Sequence, residues 1–381
     1  MFVAPGEIPA DDVRRAGWDP DRRRPPRRVA VGCPRYGDPV SDPVSDPVSD
    51  PVSDAASSSA GHPGTPMTAG SPRGSEPPGE RPPAGAILGK VGIWSGQFDF
   101  SNAATVREAV SELDELGYST LWTGEVKGRE VLVTAGLMLA ATSRMTIATG
   151  IAQILARNPL TMAAGQLALA EAYPGRFLLG LGVSHAELMR IRGATYAKPL
   201  GQMRAYLDEM DRMAAEQYRA VPPEGVQPRV LAALGPKMLS LAGERADGAH
   251  TYFVPPEHTA DARAALGPGK LLIPEQAFVL HRDASEAREL ARRHTGSYLR
   301  LPNYTNNLRR YGLTDDDLAG TGSDLLVDTI VPWGDADVLL GRVKEHLDAG
   351  ADQVAVQVLD FDRRGLPRRQ WRELAPALLS L

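Results

Sequence analysis

From Ala86 onward the chain alternates short apolar runs with stretches whose apolar residues recur at helical spacing. The apolar runs lack the every-second-residue polarity of a half-exposed strand, which is the pattern of strands covered on both faces. They predict strands at 87–94, 120–123, 145–151, 230–233, 249–253, 271–281 and 353–359, with a further strand starting at Phe177. Between them lie predicted helices. The first presents Val106, Ala109, Val110, Leu113 and Leu116 on one face, with Thr105 and Glu108 spaced as a capping box and Gly117 as a stop. Others are predicted at 131–141, at 159–172 with Pro159 in the first turn, and at 200–217, 235–247, 256–266, 336–349 and 369–379. Residues 186–198 read as an irregular basic excursion. The long stretch 284–334 reads as mixed helix and loop, and its Tyr298, Asn303, Tyr304, Asn306 and Asn307 suit a cap over a pocket.

Eight strand–helix units over roughly 295 residues match the size of a (β/α)8 TIM barrel. A doubly wound sheet is the alternative, but eight similar units without a break favour closure. In such a barrel the ligand site lies at the C-terminal strand ends. That places Trp94, Glu125, Gln153, Ser184, His185, the stretch 233–237, Thr251 and Gln357 at the mouth.

The first 86 residues have another texture. Pro, Gly, Ser, Asp and Arg dominate, and Pro-Val-Ser-Asp repeats four times up to Asp54. Such a segment buries too little apolar surface to offset its chain entropy, so it is expected to be a disordered tail, with translation starting later, near Met67. The net charge of −5 argues against nucleic acid or an acidic membrane surface as the main partner. No apolar run reaches membrane-span length, and a single cysteine, Cys33, excludes a disulfide framework. The expected setting is the cytoplasm. No histidine spacing suggests a metal.

The stretch Phe177-Leu-Leu-Gly-Leu-Gly-Val-Ser-His185 carries the most chemistry. Gly180 and Gly182 remove side chains where backbone can approach a ligand, and Ser184 and His185 are the first groups able to do polar chemistry. Together with Arg157-Asn-Pro159, Leu234-Gly-Pro-Lys-Met through Asp247-Gly248, and Leu347-Asp-Ala-Gly-Ala-Asp-Gln-Val-Ala355, it resembles the bacterial luciferase-like monooxygenases. Within them it is most similar to the deazaflavin (coenzyme F-420) dependent oxidoreductases common in actinobacteria. The resemblance covers 87–381.

It implies an F-420 ring over the barrel mouth, with a non-prolyl cis peptide behind it at Gly150–Ile151. Gln153, Gly182 and Ser184 would flank the cofactor. The cofactor phosphate would meet Leu234, Gly235, Pro236 and Lys237, at a helix N-terminus suited to an anion. The catalytic candidates are His185 as proton handler and Glu125 as a hydrogen-bonding partner of ring or substrate, or as the ion-pair partner of Lys127 or Arg129. Trp94 and Trp122 could wall a substrate pocket, and His250 has a structural reading. Arg157, Arg190 and Arg192 could meet an acidic cofactor tail. Glu125 is followed by Val126 where sugar-phosphate dehydrogenases of the family carry histidine, and His185 stands where they carry an acid. That substrate is therefore not expected. The implied activity is hydride transfer between F-420 and a small organic molecule, in a homodimer. The alternatives are an FMN-dependent monooxygenase using molecular oxygen, and a non-catalytic flavin-binding barrel.

Overall fold

The computed structural model describes residues 88–193, 195 and 197–381, so the expectations for the first 86 residues lie outside it. The elements run β1 (Val91–Trp94), α1 (Ala103–Leu116), β2 (Thr120–Thr123), α2 (Val131–Ala140), β3 (Thr146–Thr149), β4 (Ala152–Gln153), α3 (Pro159–Ala172) and β5 (Phe177–Gly182). Next come α4 (Ala186–Ile191), α5 (Pro199–Gln217), β6 (Arg229–Ala232), α6 (Pro236–Arg245), β7 (Gly248–Thr251), α7 (Pro256–Leu266) and β8 (Leu271–Leu280). The chain ends with α8 (Ala284–Tyr298), α9 (Pro302–Arg309), α10 (Asp315–Leu318), α11 (Asp324–Ile330), β9 (Trp333–Gly334), α12 (Ala336–Asp348), β10 (Val354–Leu359) and α13 (Arg368–Leu378).

The strands pair in parallel in the order β10, β1, β2, β3, β5, β6, β7, β8, and β8 pairs back onto β10 through Ala355 opposite Glu275. Closure rules out the doubly wound sheet. Each strand sends alternate residues inward and outward. Trp94, Trp122, Ala148, Leu178, Val230 and Ile273 fill the barrel. Their neighbours Ile93, Leu121, Ile147, Leu179, Leu231 and Leu272 form the layer against the helices. Burying each such side chain contributes on the order of 2 kcal/mol.

Three local expectations need correcting. Helix α1 is capped by Asn102, whose side chain accepts from the Thr105 N–H at 3.0 Å, so Thr105 is an interior first-turn residue and forms no capping box with Glu108. Asn102 has the extended backbone a cap requires, one turn earlier than the pattern suggested. Residues 186–191 form a short helix, not an irregular loop. The stretch 284–334 holds four helices and an edge strand, β9, paired to the end of β8 through Val279 and Trp333. This insertion has an apolar cluster of its own, including Leu290, Tyr298, Leu308, Val327 and Ile330. The cluster closes on Phe253, Ala277 and Val279 at the strand exits, which seats the insertion on the C-terminal face of the barrel. Gly117, at φ 98°, ends α1 as expected. Among the described residues no helix is long and apolar enough to cross a membrane.

Candidate active site

A cavity of about 310 Å³ opens at the C-terminal strand ends. Trp94, Glu125 and the Gly150–Ile151 peptide form one side, while Ser184, His185 and the stretch 233–235 form the other. Tyr298, Asn303 and Tyr304 reach in from the insertion.

The wall is set by a break in one strand. The Gly150–Ile151 peptide is cis and separates β3 from β4, which resumes pairing with β5 through Ala152 opposite Leu181. Neighbours on both sides pin the break. Gly150 N–H donates to the Thr123 carbonyl at 2.8 Å, Glu125 N–H donates to the Ile151 carbonyl at 3.2 Å, and Trp94 Nε1–H donates to the Gly150 carbonyl at 3.0 Å. On the β5 side, Thr149 Oγ1 donates to the Gly180 carbonyl and accepts from the Gly180 N–H, each at 2.8 Å. A Cβ at Gly182 would stand 2.7 Å from the Ile151 side chain, so this glycine makes room for the bulge from behind.

Behind the wall lies a buried ion pair. Arg157 Nη1 and Nη2 reach the two Glu125 oxygens at 3.1 and 2.5 Å, and Nη2 also reaches Glu130 at 2.5 Å. Glu125 further accepts from the Gln153 N–H at 2.8 Å. The Gln153 amide donates to the Glu125 carbonyl and accepts from Arg192, whose other donor binds the Val126 carbonyl. Glu125 thus pairs with Arg157 and not with Lys127 or Arg129. Arg157 is buried and braces the wall instead of facing solvent for an acidic tail, while Arg192 bonds to the same brace from an exposed position. Gln153 is held within this brace and is not among the cavity-lining residues.

The opposite side is polar at the rim. Ser184 has a left-handed backbone at φ 67° and His185 is the cap residue of α4, its ring 5.5 Å from that of Tyr304. Burial pushes the His185 imidazole down to about 4, so it is neutral at neutral pH. Leu234 and Gly235 line the cavity at the start of α6, whose N-terminus carries no side-chain cap. Pro236 and Lys237 are exposed in that first turn, outside the lining.

The floor comes from β7. His250 and Tyr252 line the cavity. Tyr252 Oη donates to Gln357 Oε1 at 2.7 Å and lies 2.8 Å from Tyr298 Oη. Gln357 therefore acts one hydrogen bond behind the wall. Trp122 is fully buried below and stacks on His250. Thr251, expected at the mouth, is buried outside the lining.

Glu275, on β8, is buried and accepts from the Phe253 N–H at 3.3 Å, holding a left-handed residue (φ 61°) just beyond Tyr252. Burial raises its carboxyl from 4.5 to about 8. The folded state then keeps a proton that the unfolded chain releases between those values. Stability from this group is full below pH ~4.5 and falls as pH rises towards 8, by roughly 4–5 kcal/mol over the window. Glu275→Gln should leave the urea midpoint near wild type at pH 5 and raise it clearly at pH 9. Equal midpoints at pH 9 would contradict this.

The profile of the luciferase-like monooxygenases matches residues 86–353. The chain belongs to that family. Family membership makes the barrel an oxidoreductase scaffold. A relative from Mycobacterium tuberculosis, named as a coenzyme F-420-dependent oxidoreductase, is 29% identical over 202 residues, covering 45% of this chain and 57% of the relative. The match thus spans little more than half of that relative's length. Among solved structures, an F-420-dependent secondary alcohol dehydrogenase in complex with an F-420–acetone adduct has a TM-score of 0.63 at 16% identity, covering 77% of this chain and 99% of its own. The oxygenating constituent of 3,6-diketocamphane monooxygenase from Pseudomonas putida, with FMN, has a TM-score of 0.58 at 15% identity, covering 77% and 97%.

In this luciferase-like barrel the structure brings Gly150, Ile151, Ser184, His185, Leu234 and Gly235 around one cavity, with Glu125 at its wall. Sequence reasoning missed Tyr252 as a lining residue and gave His250 only a structural reading. Their position two apart within the predicted strand 249–253 was the available signal, since alternate residues share a face.

Proposed function

We propose that the protein is an F-420-dependent oxidoreductase acting on a small, uncharged organic substrate. The observation that carries this reading is a cavity walled by the pinned Gly150–Ile151 bulge and bordered, at its other side, by the uncapped start of α6. The relatives and solved structures named above support it. The residues present fit such a group. The walls are aromatic and aliphatic, suited to a flat ring, and the first-turn N–H groups of α6 are suited to a phosphate, with Lys237 adding positive charge. When bound, a deazaflavin supplies hydride chemistry at one ring carbon.

The chain's own residues bind, orient and exclude water. The Gly150–Ile151 peptide would back the ring, and Ser184 and His185 would hold the cofactor from the rim. Neutral His185 is placed to accept a hydrogen bond or carry a proton there. Tyr298 and Tyr304, which line the cavity, would cover the substrate. Among the described residues the cavity lining contains no lysine or arginine, and its one carboxylate, Glu125, is neutralised by Arg157, which together favour an uncharged substrate. Anaerobic mixing of the F-420-loaded protein with neutral alcohols should bleach the long-wavelength cofactor band. Oxygen consumption with reduced FMN, and no bleaching, would instead establish the second reading, a flavin monooxygenase, which the likeness to the FMN-bound barrel supports.

We also infer a homodimer formed through α2. This helix is apolar almost all round and leaves Val133 and Leu137 exposed at 63% and 42%. Light scattering should give twice the chain mass, and Val133→Glu with Leu137→Glu should halve it. A wild-type mass of one chain would contradict the inference.

A further inference from the structure

Resting on the F-420 reading, one group at the cavity floor still has no assigned task. His250 is 2% exposed and lines the cavity. Its Nδ1 lies 2.8 Å from the Ile273 carbonyl, an acceptor only, so Nδ1 carries the proton and Nε2 presents a lone pair. The ring is clamped against Trp122, with centroids 4.7 Å apart and planes 14° apart. Nε2 has no hydrogen-bond partner within the protein. A Cβ built on Gly150 would stand 3.3 Å from it, which places the lone pair beside the bulge.

The neighbouring donors are engaged elsewhere. Trp94 Nε1–H is bonded to the Gly150 carbonyl, and the Tyr252 hydroxyl donates to Gln357 and meets Tyr298. A buried acceptor with no partner is costly, and a ligand that supplies a donor removes that cost.

We propose that His250 Nε2 is a fixed hydrogen-bond acceptor for the bound ligand, selecting molecules that present a neutral N–H or O–H at the cavity floor. Two donors share this chemistry: the imide N–H of a flavin-type ring and the hydroxyl of an alcohol substrate. A ketone lacks the donor, so on the hydroxyl assignment the alcohol binds more tightly than its ketone.

The test is side-chain nitrogen NMR on histidine-labelled full-length protein, with fluorescence titration alongside. The free protein should show His250 Nε2 unprotonated. A shift of that nitrogen on adding F-420 alone assigns the donor to the cofactor; a shift only on adding cyclohexanol to the loaded protein assigns it to the substrate. His250→Leu should weaken the assigned ligand roughly 3- to 10-fold, while His250→Gln, which keeps an acceptor oxygen, stays near wild type. Circular dichroism confirms that both variants fold, and a Leu variant that does not fold leaves the NMR result to decide. A protonated Nε2, or no shift with F-420, FMN or cyclohexanol, overturns the proposal. Failure of F-420 to bind in the fluorescence titration, with FMN moving the same nitrogen, overturns the deazaflavin reading and leaves the acceptor role standing.

Discussion

Gly180→Ala is expected to destabilise the protein by roughly 3–5 kcal/mol. A Cβ at Gly180 would stand 2.0 Å from the Thr149 carbonyl oxygen and 3.2 Å from its carbon, both backbone atoms that no side-chain rotation can move. Relief requires β5 to part from β3. That breaks the two hydrogen bonds between Gly180 and the Thr149 hydroxyl, each contributing about 1 kcal/mol, and adds the strain of overpacking, about 1–3 kcal/mol. The same movement displaces the Gly150–Ile151 wall, so ligand affinity falls with stability. Gly235→Ala is the contrasting substitution. Its φ is −83° and a Cβ there meets nothing within 4 Å, so urea unfolding should place it within about 0.5 kcal/mol of wild type. A Gly180→Ala protein as stable as Gly235→Ala would refute the packing account of this strand pair.

Arg157→Met should cost a similar amount for a different reason. The Glu125 and Arg157 side chains are 4% and 8% exposed, and removing the guanidinium leaves a buried carboxylate whose main remaining donor is the Gln153 N–H. Breaking such a pair costs about 3–5 kcal/mol, whereas replacing both partners is often nearly neutral. Adding Glu125→Leu to Arg157→Met should therefore recover most of the lost stability in urea titrations. Failure of the second change to rescue the first would show that Arg157 acts mainly through Glu130 or through packing. The pair also governs the site, because the Glu125 N–H bonds the Ile151 carbonyl.

The barrel was legible where punctuation was strong. Proline at the first turn of α3 and glycine after α1 marked the start of one helix and the end of the other, and the apolar run Phe177–Leu179 opened β5 as read. The start of α1 was misread because the pattern Thr105–Glu108 mimics a cap that Asn102 provides. The insertion was unresolved in the sequence because its short helices are stabilised by one another and by the barrel exits, not by long amphipathic faces. The site split in the same way. The cis bond at Gly150–Ile151 followed from the family resemblance and is present. The partner of Glu125 lies 32 residues along the chain, and the meeting of His250, Tyr252 and Tyr298 depends on how β7 faces α8. Spacing alone carries no trace of the ion pair or of Tyr298, although the two-residue step from His250 to Tyr252 marks their shared face.

The central claim is that this cavity holds a deazaflavin. Parallel fluorescence titrations of the purified protein with F-420 and FMN test it most directly. Saturable F-420 binding, much tighter than FMN and weakened by Gly180→Ala, is the predicted result. Tight FMN binding with no saturable response to F-420 would contradict the claim.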